Sequence, residues 1–206
     1  MMLDFANVTP WMAILALILG YLSGSIPFGL LFTRWAGLGD VRAIGSGNIG
    51  ATNVLRTGNK NLAALTLLAD AVKGTIPILV MKALGGETAG LIAGLAAFAG
   101  HLFPVWLGFK GGKGVATNIG ILFGLYWPLG LIFLAVWLAM AFLFRISSVS
   151  ALTASALSPL WAWLLGKPTF VLPLIVIGAL IWIMHRANIA RLVKGEEAKI
   201  KLGSHA

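Results

Sequence analysis

The sequence predicts an all-α, polytopic membrane protein. Three observations lead there. Apolar residues make up 59% of the chain and charged residues only 10%, far too few charges for the surface of a soluble domain. Mean hydropathy is +0.96. The apolar residues gather into seven runs near bilayer-spanning length, at 11–34, 61–84, 88–107, 114–127, 129–145, 149–166 and 168–187. A span takes about 20 residues. The fourth run is short and is expected to be tilted, partial or fused to its neighbour at Pro128. The first run is too long for a signal peptide and lacks a small-residue cleavage site, so it reads as a span. The whole chain, 1–206, reads as one membrane domain with a polar, solvated tail at 194–206.

Seven spans put the termini on opposite sides, and the basic residues choose which. With the amino terminus outside, the cytoplasmic side receives Arg34, Arg42, Arg56, Lys60, Lys110, Lys113, Arg145, Arg186, Arg191, Lys194, Lys199 and Lys201. The outside receives only Lys82 and Lys167, and Lys73 falls within the second run. That bias predicts amino terminus out and carboxyl terminus in. Every polar, motif-like stretch then faces the cytoplasm. The +9 net charge is a topology signal rather than a nucleic-acid footprint. Cysteine is absent, which excludes disulfides, thiolate metal sites and a cysteine acyl-enzyme.

Run 1 carries Ser23-Gly24-Ser25-Ile26-Pro27. Pro27 removes a backbone donor and predicts a kink, with the serines available to freed carbonyls. Gly20 and Gly24, then Gly86, Gly90 and Gly94, then Gly120 and Gly124 form small-xxx-small faces for close helix packing. The first inner loop, Gly45-Ser46-Gly47-Asn48-Ile49-Gly50-Ala51-Thr52-Asn53-Val54-Leu55-Arg56, is rich in Gly, Ser and Asn and poor in lysine, unlike an ordinary orientation loop. It reads as a binding loop. Asp70 and Lys73 share one face of run 2. They form either a self-neutralising structural pair bracing the site or part of the chemistry itself. His101, at the end of run 3, has the same two readings.

The chain is organised around Phe109-Lys110-Gly111-Gly112-Lys113-Gly114-Val115-Ala116-Thr117-Asn118. Glycines permit tight turns and close ligand approach. A glycine-rich loop opening a helix suits an anion, because free amides and the helix dipole both favour negative charge. Lys113 adds a mobile point charge. The alternative is a basic turn that only fixes orientation. The stretch does not match the Walker pattern, because Lys113 is followed by Gly114. Gly50-Ala51-Thr52-Asn53 echoes Gly114 to Asn118. Toward the carboxyl end stand Arg145, Ser147 and Ser148, then His185-Arg186-Ala187-Asn188-Ile189-Ala190-Arg191, with His185, Asn188 and Leu192 on one face. Glu196-Glu197-Ala198-Lys199-Ile200-Lys201 reads as a charge run without visible chemistry.

The inner face therefore holds Arg, Lys, Ser, Asn, His and glycine amides, but only Asp40 and Asp70 as carboxylates. A metal-dependent phosphotransfer site needs more carboxylates. This face suits phosphate held directly by cations and amides, and no metal or cofactor is expected. A transporter of phosphorylated compounds is the rival class. It would hold substrate near the midplane between corresponding halves, whereas these basic groups gather at one face.

Several of these stretches resemble the bacterial acyl-phosphate:glycerol-3-phosphate acyltransferase family (PlsY). They are Ser23 to Pro27, Gly45 to Arg56, Asp70-x-x-Lys73-Gly74, Gly100-His101-x-x-Pro104, Phe109 to Thr117 and His185-x-x-Asn188-Ile189-x-Arg191-Leu192. The resemblance spans nearly the whole chain. It implies seven helices and a cytoplasmic-face site in the bacterial inner membrane. It also implies acyl transfer from acyl phosphate to glycerol 3-phosphate, giving lysophosphatidic acid, the first committed step toward phospholipids. It implies phosphate binding by Ser46, Arg56, Lys113, Ser148, His185 and Asn188, with amides from Gly111, Gly112 and Gly114, and with Asn48, Asn53 and Lys110 as neighbours. Ser147 and Ser150 are adjacent alternatives to Ser148. The His-x4-Asp dyad of other glycerol-phosphate acyltransferases is absent, since Trp106 and Ala190 stand five residues after His101 and His185. The resemblance implies that the substrate's own phosphate is the base, with His185 or His101 as alternatives. The bilayer and the acyl-phosphate-producing enzyme are the expected partners.

Overall fold

The computed structural model describes residues 8–200. Lys201, counted in the charge reading, lies outside the described residues. The described chain is helical throughout, with eight α-helices: α1 Pro10–Ser25, α2 Phe28–Trp35, α3 Ala51–Val54, α4 Lys60–Leu102, α5 Val115–Phe144, α6 Ser147–Leu164, α7 Val171–Met184 and α8 Arg186–Val193. Single 3-10 turns sit at Val41–Ala43, Leu55–Thr57, Val105–Leu107 and Pro168–Phe170. Among the described residues, Pro10–Trp35, Lys60–Leu107 and Val115–Phe144 are long and apolar enough to cross a membrane. A fourth joins them if Pro168–Met184 and Arg186–Val193, bent by 62°, count as one. The seven apolar runs thus become fewer continuous helices, because two pairs of runs are fused.

The first fusion is α4. Its 43 residues would extend well beyond a hydrocarbon core about 30 Å thick. The helix breaks at Gly85 and Gly86, where Gly86 takes φ 77°, a conformation open to glycine at little cost. The two halves then lie against each other, so that a Cβ at Gly94 would press on Ile78. The second fusion is α5, which breaks at Tyr126 (φ −157°, ψ 101°), two residues before Pro128.

Contacts fall into two compact units, one ending at Trp127 and one beginning at Pro128. In the first, α1 packs along α4 through the small faces expected of it. Gly20 meets the Ala93 backbone and Gly24 the Ala97 backbone, with no room for a methyl group at either. Gly120 of α5 meets Ala71 in the same way. In the second unit α6 and α7 pack together, and the Trp182 indole donates to the Leu152 carbonyl at 3.3 Å.

Pro77, Pro128 and Pro159 lie in helices beyond the first turn, and each frees the carbonyl four residues before it. Each freed carbonyl finds a side-chain donor. Pro77 frees that of Lys73, which accepts from Ser23 Oγ at 2.8 Å. Pro128 frees that of Gly124, which accepts from Lys82 Nζ at 3.4 Å, while the same ammonium reaches Leu125 O at 3.0 Å. Pro159 frees that of Ser155, which accepts from Ser158 Oγ at 2.9 Å. In hydrocarbon, where water cannot serve, such partners make interior prolines tolerable. The break after α1 follows Ser25, with Ile26 extended before Pro27, as the proline predicts.

Candidate active site

In the first unit, Asn53 organises the loop before α4. Its side chain is buried. Its amide nitrogen reaches the carbonyls of Val41 (2.7 Å), Asn48 (2.8 Å) and Ile44 (3.1 Å). Its Oδ1 accepts from the Ser46 backbone N–H at 3.1 Å and from an Arg56 guanidinium nitrogen at 3.2 Å. Asn53, expected beside the phosphate, is therefore a scaffold residue instead. Its hydrogen-bonding capacity is engaged within the chain, and it positions Ser46 and Arg56, whose side chains are exposed. Asn48 Oδ1 accepts from the Gly50 N–H at 2.9 Å, closing a local turn before α3. Nearby, Asp40 receives Arg42 at 2.6 Å and Arg34 at 3.2 Å. The Arg42 side chain and backbone, with Arg34, hold its carboxyl far below the usual range.

The glycine–lysine loop is pinned at its root. The Gly111 N–H donates to Leu102 O and the Gly112 N–H to His101 O, both at 3.0 Å. These carbonyls end α4 and have no acceptor role within it. The expectation that Gly111 and Gly112 offer their amides to phosphate is corrected: both cap α4 instead. Glycine is required at each for closeness, since a Cβ on Gly111 would overlap His101 O and one on Gly112 the His101 ring. Gly114 has φ 83° and lies against the Phe98 ring. The chain reaches this point through Gly108 and Phe109, both left-handed at φ 58° and 62°. The donors remaining to the loop are the first-turn amides of α5, which have no partner one turn earlier. Lys113 stands half-buried just before them, and Lys110 is exposed.

Behind the loop lies a buried ionic group. Lys73 Nζ is 2.6 Å from Asp70 Oδ1 and donates to Ile26 O at 2.7 Å. His101 Nδ1 is 3.9 Å from the same Asp70 oxygen. All three side chains are almost fully enclosed.

In the second unit, Ser148 begins α6, and His185 stands at the bend between α7 and α8. Its Nδ1 lies 2.8 Å from Ile181 O. A carbonyl only accepts, so Nδ1 carries the hydrogen, and the neutral ring has its basic nitrogen at Nε2. Ser148 and Asn188 are joined by a residue read from the sequence as chemically silent. Glu197 Oε1 accepts from Ser148 Oγ at 2.8 Å and from the Asn188 amide, while Oε2 accepts from Arg191 Nε at 2.6 Å. The segment is held further by the Ile200 N–H on Arg145 O at 2.6 Å. Tail residues 195–200 are thus a strap rather than a solvated charge run. Burial pushes the Glu197 carboxyl up, but the hydrogen bonds from Asn188, Ser148 and Arg191 outweigh it and leave the group below its ordinary range. The spacing that pairs Ser148 with Asn188 carries no sequence signal, because the link runs through an acceptor nine residues beyond Asn188. Among the described residues, no three of His, Asp and Glu come together as a metal-ligand group.

Residues 14–195 match the family model described as glycerol-3-phosphate acyltransferase. The chain belongs to the glycerol-3-phosphate acyltransferase family. The glycerol-3-phosphate acyltransferase of Mesorhizobium japonicum is 63% identical over 187 residues, covering 91% of this chain and 95% of that one. The acyltransferase of Allorhizobium ampelinum is 57% identical over 202 residues, covering 96% and 97%. Crystal structures of PlsY, an integral membrane glycerol 3-phosphate acyltransferase, superpose closely. The glycerol 3-phosphate form gives a TM-score of 0.87 at 40% identity, covering 92% of this chain and 96% of PlsY. The lysophosphatidic acid form gives 0.85 at 38% identity, covering 92% and 95%. The chain is an acyltransferase of the PlsY type and an integral membrane protein.

Proposed function

We propose that the protein transfers an acyl group from acyl phosphate to the 1-hydroxyl of glycerol 3-phosphate, releasing phosphate and lysophosphatidic acid. The observation that carries this reading is a cation-rich, carboxylate-poor set of groups in a PlsY-type glycerol-3-phosphate acyltransferase. Within each unit the carboxylates are already engaged: Asp40 by Arg34 and Arg42 and Asp70 by Lys73 in the first, and Glu197 by Ser148, Asn188 and Arg191 in the second. Such a set suits two phosphorylated substrates bound directly. PlsY has been solved in forms described by glycerol 3-phosphate and by lysophosphatidic acid, which supports the same acceptor and product here.

Acyl phosphate is a mixed anhydride with phosphate as leaving group. Catalysis then consists mainly of holding two anions in reacting geometry and stabilising the charge that develops on the carbonyl oxygen. We assign phosphate binding to Lys113 and the first-turn amides of α5, to Ser46 and Arg56 as set by Asn53, and to Ser148, His185 and Asn188. Asn48, Lys110 and Gly114 are neighbours, and Asp70, Lys73 and His101 are supporting residues. The acceptor hydroxyl loses its proton to substrate phosphate, whose second pKa is about 6, and no acyl-enzyme forms. His185 is the alternative base, through Nε2.

The protein works at the cytoplasmic face of the bacterial inner membrane as a single domain. It crosses seven times, with its amino terminus outside. The halves of α4 and of α5 count separately, because each helix breaks. The enzyme that makes acyl phosphate is its partner. The test is acyl transfer by purified protein in detergent, offered acyl phosphate, acyl-CoA or acyl carrier protein. Lysophosphatidic acid should form from acyl phosphate alone; formation from acyl-CoA and not from acyl phosphate rejects the reading.

A further inference from the structure

We propose that His101 is a positioning residue that sets the height of the glycine–lysine loop, with the buried Asp70–Lys73 pair as its footing. The proposal rests on the reading that this loop binds substrate phosphate, and it names the device that places it.

The argument is geometric. The loop contacts His101 twice. The Gly112 N–H donates to the His101 carbonyl at 3.0 Å. The Gly112 α-carbon also lies so close to the imidazole that a Cβ there would overlap Nε2 and come within 2.7 Å of Cε1. The ring is therefore a stop for the backbone at Gly112, the residue before Lys113. A stop works only if it is itself fixed. The other edge of the ring, Nδ1, faces Asp70 Oδ1 at 3.9 Å. Asp70 is held by Lys73 at 2.6 Å, and Lys73 by the Ile26 carbonyl at 2.7 Å, beside the break between α1 and α2. The Lys73 backbone is tied to α1 in turn through Ser23. The ring's Nδ1 makes no hydrogen bond, so this edge is held by packing against the Asp70–Lys73 pair, which is itself tied to the α1–α2 break.

The side-chain types fit that task better than direct chemistry. The His101 ring is enclosed, with 4% of it exposed, and glycine backbone covers its Nε2 edge. It shapes the site through Gly112 and not by touching substrate.

The test measures kcat and KM for glycerol 3-phosphate and for acyl phosphate, with thermal stability, on the full chain in detergent. A phosphate anchor displaced by about 1 Å should raise KM for a phosphorylated substrate roughly tenfold or more, with kcat less affected. His101→Ala and Gly112→Ala should each show this. The double variant H101A/G112A, in which the methyl enters the space left by the ring, should lie closer to wild type than either single variant. His101→Gln, which keeps a planar polar group near Gly112, should fold and retain KM within about threefold of wild type if His101→Ala proves unstable. Lys113→Ala is the control for the underlying reading. If Lys113→Ala changes nothing, the loop does not bind phosphate. If Lys113→Ala raises KM while His101→Ala and the double variant lose only thermal stability, the loop reading stands and the positioning role is rejected. Losses that simply add in the double variant also reject it.

Discussion

Ser23 on α1 donates its hydroxyl to the Lys73 carbonyl on α4 at 2.8 Å. That carbonyl lacks a helical donor because Pro77 stands one turn later. Ser23→Ala should leave it unpaired and lower stability by about 0.5–1.5 kcal/mol. Pro77→Ala should restore an N–H at the right place, so Ser23→Ala/Pro77→Ala should be less destabilised than the sum of the single changes. Thermal unfolding of the four proteins in one detergent decides the point, and strictly additive losses would count against it.

Lys82→Met should act in the same way on α5. Its ammonium covers Gly124 O and Leu125 O beside the break before Pro128. Removing it should lower the unfolding temperature while leaving KM for both substrates within about twofold, since no ligand group is touched. A tenfold change in KM without loss of stability would contradict this.

Lys113→Ala should lower kcat/KM by about ten- to more than a hundredfold, the worth of a charge-assisted bond of about 1.5–3 kcal/mol. Lys113→Arg should rescue only in part, because a planar guanidinium does not replace a compact ammonium. Lys199→Ala should change little. Lysophosphatidic acid formed in detergent is the readout, and full turnover with unchanged KM in Lys113→Ala would reduce the loop to an orientation signal.

Glu197→Gln should lower activity by about tenfold or more, by loosening Ser148, Asn188 and Arg191 together. The folded carboxyl lies below its unfolded value of about 4.5. Its contribution is therefore complete above that value and lost as pH falls through the lower, folded one. Wild type should lose strap order only in acid, and Glu197→Gln should lack that acid step. Proteolysis or amide exchange at 195–200 against pH measures it; an unchanged acid step in Glu197→Gln would remove the assignment.

Activity should survive EDTA, since the phosphates are held by cations and amides. Single cysteines at Ser46, Lys110 and Lys199 should be labelled from the cytoplasmic side, and one at Glu87 from the other. Magnesium-restored activity, or labelling of position 110 from outside, would overturn the respective reading.

Sequence and structure agree where a local rule acts. The small faces of Gly20, Gly24 and Gly120 packed as their spacing implied. Pro27 broke the first run. Gly50 and Gly114 each lead into a helix. What sequence could not supply were partners distant along the chain. No spacing announces that Asn53 closes on Val41 and Asn48, or that Gly112 rests on His101. Nor does a run of charges reveal that one carboxylate serves three donors. Apolar runs measure how much chain is oily, not whether two runs are joined, so the continuity of α4 across Gly85 and Gly86 stayed hidden.

The strap also has a bearing on the order of assembly. Glu197 joins Ser148 to Asn188, and it is made last of the three. On a ribosome that is after every helix named above has been synthesised. A nascent chain can therefore enter the bilayer with Ser148 and Asn188 not yet held by the strap. The strap is thus a late addition to a bundle that is otherwise already made.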